Sequence, residues 1–324
     1  MTIEVIKPGL LTTFQDAGRR GFAHLGIGRS GAFDESAWRI ANALCGNAVD
    51  VCALEITLLG PTLRFHAGAW IAVTGAPVPF RVDGVEQPAW APVFVAAGAT
   101  LEFGAMRTGC RSYLAVRGGF DVLPVLGSRS TDVNAALGPN GGRPLRTGDV
   151  LTIGSASTNS PDTPRAAPKW RLDPRPWWSG GPQASLRLLP ATHLDQLTEK
   201  SRKILFSEPF NVELNSNRVG VRLTGPSLEC SRPIEMISEG CVPGLVQLPP
   251  SGQPIAFGPE CPVSGGYPRI GQIAAVDIAR LAQLRPGDAL RFVRCTLEQA
   301  LDALRKRERA FDALAANIAA RLAP

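Results

Sequence analysis

Histidine and tyrosine are scarce in this chain, with three His and two Tyr among 324 residues. The three imidazoles, His24, His66 and His193, stand far apart, and no His-Glu-x-x-His run occurs, so no zinc-ligand pattern is present. The seven Cys are odd in number and include no Cys-x-x-Cys pair. Thiols scattered in apolar or small-residue settings such as Ala43-Leu44-Cys45 read as buried structural Cys in a reducing compartment. No apolar run approaches the roughly 20 residues that a membrane helix needs. The start of the chain is polar and breaks at Pro8-Gly9, unlike a secretory leader. Together these absences lead us to expect a soluble, cytoplasmic protein. There is no Gly-x-Ser-x-Gly elbow and no Gly-x-x-x-x-Gly-Lys-[Ser/Thr] phosphate loop. The net charge of +6 comes from 34 basic and 28 acidic residues spread along the chain, and no basic stripe interleaved with aromatics is there to grip nucleic acid.

What is abundant is apolar content and punctuation. Hydrophobic residues make up 44% of the chain, enough for a sizeable core, and 34 Gly with 28 Pro favour short strands joined by turns. At roughly 100–200 residues per domain, the length suggests two domains. Residues 156–184 are rich in Pro, Ser, Thr and Gly without hydrophobic period, and are expected to be a linker between a β-rich domain over 1–155 and a second β-rich domain over 185–295. Trp170, Trp177 and Trp178 argue that part of that linker packs down. Residues 296–324 carry apolar residues at three- and four-residue spacing (Leu297, Ala300, Leu301, Leu304, Phe311, Leu314, Ile318, Leu322), which predicts an amphipathic helical tail, in one piece or two. Another helix is predicted from Asp34, a capping residue, to Cys45. Asp83-Gly84 predicts a hairpin turn. The fold class is therefore mainly β with a few helices.

The halves resemble each other. Leu59-Gly60-Pro61-Thr62-Leu63 matches Thr224-Gly225-Pro226-Ser227-Leu228. Leu145-Arg146-Thr147-Gly148-Asp149-Val150-Leu151 matches Leu284-Arg285-Pro286-Gly287-Asp288-Ala289-Leu290, in the same order. This reads as an internal duplication of one β-rich domain.

Gly26-Ile27-Gly28-Arg29-Ser30-Gly31 fits the dinucleotide fingerprint letter for letter, but no hydrophobic strand precedes it. We read it as a Gly-rich loop entering the Asp34 helix, with backbone N–H groups exposed to an anion. Three polar clusters set among Gly and Pro are the functional candidates. The first holds Gln15, Asp16, Arg19 and His24; the second, Ser128, Arg129 and Ser130. Each inventory suits a small carboxylate- or phosphate-bearing molecule, and each equally suits a loop bonded to itself. The third runs from Ser238 to Pro254 and on through Ser264 to Gly271, dense in Gly and Pro, which pin loop shape. It places Glu239 as a candidate base, Tyr267 and Arg269 as stabilisers of negative charge on oxygen, and Gln247 and Gln253 as substrate-binding amides.

The stretches PGLLTTFQDAGRRGFAHLGIGRSGAFD, LEITLLGPTLRF, VLGSRST, ISEGCVPGLVQLPPSGQPI and SGGYPRIG closely resemble allophanate hydrolase subunit 2, in order from about Val5 to Phe292. That family also goes under Kip-inhibitor antagonist, the C-type subunit of 5-oxoprolinase, and biotin-dependent carboxyltransferase-like protein. The resemblance implies two cyclophilin-like β-barrel domains. It implies a smaller cyclophilin-like partner, of the oxoprolinase B-type or allophanate hydrolase subunit 1 kind, and a third oxoprolinase subunit. The assembly would open the lactam of 5-oxo-L-proline to L-glutamate with ATP and Mg, Arg19, Arg129 and Arg269 neutralising charge. In urea carboxylase the same two modules carry CO₂ from carboxybiotin to urea, so biotin enters only under that alternative. A non-catalytic regulator of a kinase-inhibitor-like partner is a third reading. The sequence shows no biotin-carrier or biotin-carboxylase region, which leads us to expect not a fused urea carboxylase but an oxoprolinase subunit, with a stand-alone carboxyltransferase subunit as the alternative. It departs from the family at Gly18-Arg19-Arg20-Gly21, at Gly28-Arg29, and at Gly258-Pro259-Glu260-Cys261-Pro262.

Overall fold

The computed structural model describes residues 1–155, 170–178, 180–234 and 236–322. The chain forms two compact units: Met1–Arg19, Ser30–Ser179 and Phe311–Pro324 make the first, Arg20–Arg29 and Gly180–Ala310 the second. Much of the linker expected over 156–184 lies outside the described residues.

In the first unit, two antiparallel sheets enclose one apolar core. The six-stranded sheet runs, in spatial order, Val150–Thr152, Thr2–Lys7, Thr62–Phe65, Thr100–Phe103, Phe80–Val82 and Val85–Glu86; the five-stranded sheet runs Leu11–Gln15, Ala53–Thr57, Arg111–Val116, Ala69–Gly75 and Pro92–Val95. Ile3, Val5 and Leu101 from the first meet Phe14, Leu54, Ile71 and Leu114 from the second, all essentially inaccessible to water. The predicted hairpin is present: Asp83 and Gly84 adopt φ of 48° and 80°, the left-handed pair that a two-residue turn demands, and Val82 faces Val85.

The outer face of the five-stranded sheet is covered by the helix Glu35–Leu44. Asp34 caps it as predicted, its side chain accepting the Ala37 N–H at 3.0 Å, and Gly46 at φ 71° follows its end. Trp38, Ala41 and Leu44 turn inward onto Ala72, Tyr113 and Ala115. Trp177 joins this cluster, edge-on to Phe311 at 6.3 Å, with Trp170 and Trp178 packed beside it, as the sequence led us to expect of the tryptophans.

The second unit holds a closed barrel in the order Gln183–Pro190, Arg269–Ile273, Leu245–Gln247, Ile255–Phe257, Gly220–Thr224, Phe210–Val212 and Ala289–Arg294. A parallel pairing of Gln183–Leu188 with Ala289–Arg294 closes it. The tail is one unbroken helix, Leu297–Leu322, whose residues from Phe311 on belong to the first unit.

The longer of the two repeated motifs folds identically in both units. Asp149 Oδ2 accepts the Arg146 N–H at 2.8 Å, and Asp288 Oδ2 accepts the Arg285 N–H at 3.0 Å. Gly148 and Gly287 take φ of 86° and 89°, and their N–H groups donate to Val5 and Val212 at 2.8 and 2.9 Å. The shorter match does not correspond in space. Gly60-Pro61 leads into the strand Thr62–Phe65, whereas Gly225-Pro226 leaves the strand Gly220–Thr224.

Candidate functional site

The first two predicted clusters meet around one carboxylate. Leu11–Gln15 is a strand, although Thr12, Thr13 and Gln15 hid it, because these polar residues are all buried. At its end Asp16 Oδ1 accepts from the Ser128 and Ser130 hydroxyls, each at 2.6 Å, and from the Gly18 N–H at 2.8 Å; Oδ2 accepts the Arg129 N–H at 2.5 Å. Four donors converge on this one buried carboxylate and fix the Gly127–Thr131 loop against the strand. Arg19 donates from Nη2 to the Ser130 carbonyl. Gln15 donates to the Thr131 carbonyl at 2.9 Å, while its Oε1 and the Thr131 hydroxyl are buried with no protein partner. The Arg129 guanidinium lies at the surface, its Nε donating to the Val122 carbonyl at 2.8 Å.

Of the first cluster, Gln15, Asp16 and Arg19 belong to the first unit and His24 does not. It sits exposed in the 3-10 turn Ala23–Leu25, which is counted with the second unit. The stretch before Gly26 is thus a turn and not a strand, which removes the dinucleotide reading. Ser30 and Gly31 take φ of 55° and 102° as the chain bends toward the Asp34 helix.

The third stretch forms a small projecting ribbon in the second unit. Glu239–Gly240 pairs with Ser264–Gly265, Glu239 facing Gly265. In the barrel, Gln247 is the cross-strand partner of Arg269. The Arg269 Nη2 makes an ion pair with Glu239, whose side chain is 45% exposed against 21% for the arginine. Gln247 is buried and approaches the Cys241 thiol, Nε2 to Sγ 3.6 Å. A Cβ at Gly265 would come within 2.9 Å of Gln247 Nε2 and 3.1 Å of Cys241 Sγ, so the Gln247 amide and the Cys241 thiol both lie against the ribbon at this glycine. Glu239, Gln247 and Arg269 are therefore gathered around Gly265. Tyr267 stands two residues from Arg269 and is 45% exposed. Gln253 does different work: it clamps the Gly225 backbone, accepting its N–H at 2.8 Å and donating to its carbonyl at 3.2 Å.

Three participants were not singled out from the sequence. His193 lies under Arg269, its Nδ1 accepting the Arg269 backbone N–H at 3.1 Å; burial, and then the arginine's charge, push its pKa below the ordinary value. Cys241 borders Gln247, and burial raises its thiol pKa, so it is a poor thiolate. Glu55 is fully buried in the first unit and accepts from the Tyr113 hydroxyl at 2.6 Å and the Phe33 N–H at 3.0 Å, with Arg111 at 3.4 Å. A lone His and an alternating strand Glu gave no local signal, because strand pairing alone brings in their partners. The Glu260 departure has a local cause: it forms a buried ion pair with Arg218 at 2.5 Å.

Among the described residues no group of three or more His, Cys, Asp or Glu side chains is placed to hold a metal, and no helix is long and apolar enough to cross a membrane.

The carboxyltransferase domain family, subdomain A and B, matches residues 25–294. The chain is 39% identical to the C-type subunit of 5-oxoprolinase from Escherichia coli over 97% of either chain. It is 34% identical to the protein of the same name from Haemophilus influenzae, over 94% of this chain and 95% of that one. Among solved structures, Kluyveromyces lactis urea carboxylase superposes with a TM-score of 0.86 at 30% identity, over 98% of this chain but 29% of that one.

Proposed function

This chain belongs to the carboxyltransferase domain family, subdomain A and B, and we propose that it is the subunit of an ATP-dependent 5-oxoprolinase that opens 5-oxo-L-proline to L-glutamate with partner subunits. The observation that carries this reading is the end-to-end match, 39% identity over 97% of both chains, to a protein named as one subunit of that enzyme.

The ribbon in the second unit supplies suitable chemistry. When a lactam is opened, negative charge builds on the acyl oxygen as water adds, the C–N bond breaks, and the nitrogen takes a proton. Arg269 is a fixed cation with donors for that oxygen. Glu239, half exposed and held by Arg269, accepts a proton from water and returns one to the departing nitrogen. The Tyr267 hydroxyl is a second donor, and Gln247 orients the ring amide. The saturated Asp16 is a scaffold for the 127–131 loop in this scheme, since its four donors all come from the protein itself.

ATP supplies the driving force for breaking a resonance-stabilised amide. The sequence has no Gly-x-x-x-x-Gly-Lys-[Ser/Thr] phosphate loop, and among the described residues no cluster of three or more His, Cys, Asp or Glu offers a metal site of the chain's own. We assign ATP to the partner subunits and route no step of this chain through it. The partners are a small B-type oxoprolinase subunit and a third oxoprolinase subunit.

The test is glutamate formation from 5-oxoproline and ATP by the reconstituted assembly, each subunit omitted in turn. Activity that survives omission of this chain, or an inert full assembly, sinks the reading. A second reading rests on the superposition with urea carboxylase over 98% of this chain: a stand-alone carboxyltransferase acting on urea or a related amide with biotin. It predicts carboxyl transfer from carboxybiotin in the same assembly.

A further inference from the structure

The barrel strand Gln183–Pro190 ends at a residue with no N–H to give, and the chain then turns through Ala191 and Thr192. Its neighbour Arg269–Ile273 starts beyond that point, at Arg269, where one more pair of ladder bonds is needed. His193 makes both. Its backbone N–H donates to the Arg269 carbonyl at 2.9 Å, and its ring Nδ1 accepts the Arg269 N–H at 3.1 Å. An imidazole nitrogen thus replaces the backbone carbonyl that an antiparallel partner would offer. The residue is 8% exposed.

We propose that His193 is a positioning residue: its unprotonated Nδ1 anchors the Arg269 backbone so that the guanidinium meets Glu239, and protonation of the ring releases that anchor. An acceptor bond at Nδ1 places the proton of the neutral ring on Nε2. A protonated ring would turn Nδ1 into a second donor facing the Arg269 N–H, and would put a cation beside the Arg269 charge.

The charged groups around the ring agree. Arg269 of the barrel strand acts on it directly. Asp195, in the 3-10 turn that His193 begins, is directed at Arg202 of the helix Glu199–Ser207, at 3.6 Å, and is 92% exposed. Burial and Arg269 both favour the neutral form, and no carboxylate among the described residues is paired with the ring to offset them. The folded ring titrates below its unfolded value, so the anchor is intact above neutral pH and is lost as pH falls through the folded pKa.

Two measurements test this, one of which is independent of the reaction. Imidazole ¹⁵N shifts of the whole chain, with the His193 signal assigned as the one missing in His193→Asn, should show Nδ1 unprotonated and Nε2 protonated at about pH 7.5, a unit above an ordinary imidazole. They should also show His193 titrating below the ordinary imidazole value of about 6.5. A protonated Nδ1 at that pH overturns the proposal, whatever the enzyme does. The second measurement uses 5-oxoproline turnover by the assembly and rests on the function proposed above. Asn offers an amide oxygen near the Nδ1 position without a titrating group. His193→Phe should lose about tenfold or more in kcat, on the order of one hydrogen bond's worth of positioning. His193→Asn should recover most of that loss and flatten the acid limb of the profile. Equal losses in the two variants, or an unchanged acid limb in Asn, overturn the positioning role. An assembly inert in its parent form rejects the function alone, and the ¹⁵N result then decides this inference.

Discussion

Asp16 in the first unit and Glu239 in the second are both carboxylates in Gly-rich polar loops, and both are candidates from sequence. Their surroundings differ in kind. Asp16 is 8% exposed and takes four protein donors. The Glu239 side chain is 45% exposed and is held by the Arg269 cation. A carboxylate whose lone pairs are filled by its own chain stabilises a loop; one held by a cation at the surface can exchange that partner for a substrate atom. The comparison separates a scaffold from a working group without appeal to composition, which is alike in both places.

The difference between the two carboxylates should show most strongly at Asp16. Asp16→Ala strands two buried hydroxyls and two backbone N–H groups, each costing about 1–3 kcal/mol when left unpaired. After relaxation we expect about 3–4 kcal/mol of lost stability, read as a lower denaturation midpoint in urea. If Asp16→Asn keeps its stability yet abolishes turnover, the roles assigned to the two carboxylates must be exchanged. Next in size is Arg269→Ala. Its side chain belongs to a partly exposed pair, so unfolding should change little, while turnover in the assembly should fall about 10²-fold, the scale of one lost oxyanion donor. A drop in the urea midpoint comparable to that of Asp16→Ala would place Arg269 among the scaffold residues instead. Smaller again is Tyr267→Phe. The hydroxyl is one donor beside a fixed cation, so we expect about a tenfold fall in kcat with binding of the small partner subunit unchanged; lost binding with normal kcat would make the exposed ring an interface residue.

Much of the architecture was legible where local chemistry and tertiary structure agree. The Asp34 cap, the Asp83-Gly84 turn, the tryptophan packing and the tail helix all rest on contacts close in sequence or on a clear period. The strand Leu11–Gln15 escapes a sequence reading because polar residues are buried on both sides of its core aromatic, Phe14: Thr12, Thr13 and Gln15 are inaccessible, Gln15 against a loop more than a hundred residues away, so alternation of apolar and polar residues never appears. The same distance hid the site. Glu239 and Arg269 could be named as candidates from their Gly- and Pro-rich setting, but their pairing, and the support from His193, come from strand register. Chain position alone does not reveal the units, since residues 20–29 are counted with the second and the tail helix from Phe311 on with the first.

The repeated turns offer the finest version of the comparison between units, because there the two halves should respond alike. Gly148 and Gly287 hold φ of 86° and 89°, and a Cβ at either would meet nothing within 4 Å. Crowding therefore contributes nothing, and the cost of Gly→Ala is that of forcing an L-residue into the left-handed region, about 1 kcal/mol. Each N–H still donates, to Val5 in one unit and Val212 in the other, so no hydrogen bond is lost. Calorimetry on Gly148→Ala and Gly287→Ala should give equal destabilisations of about 1 kcal/mol, each confined to the transition of its own unit where the two resolve. A difference beyond about 0.5 kcal/mol, the scale on which independent sites add, would mean that the shared geometry does not carry shared energetics, and that neighbours such as Arg143, which clamps Asp149 at 2.7 and 2.8 Å, have reshaped one copy since it arose.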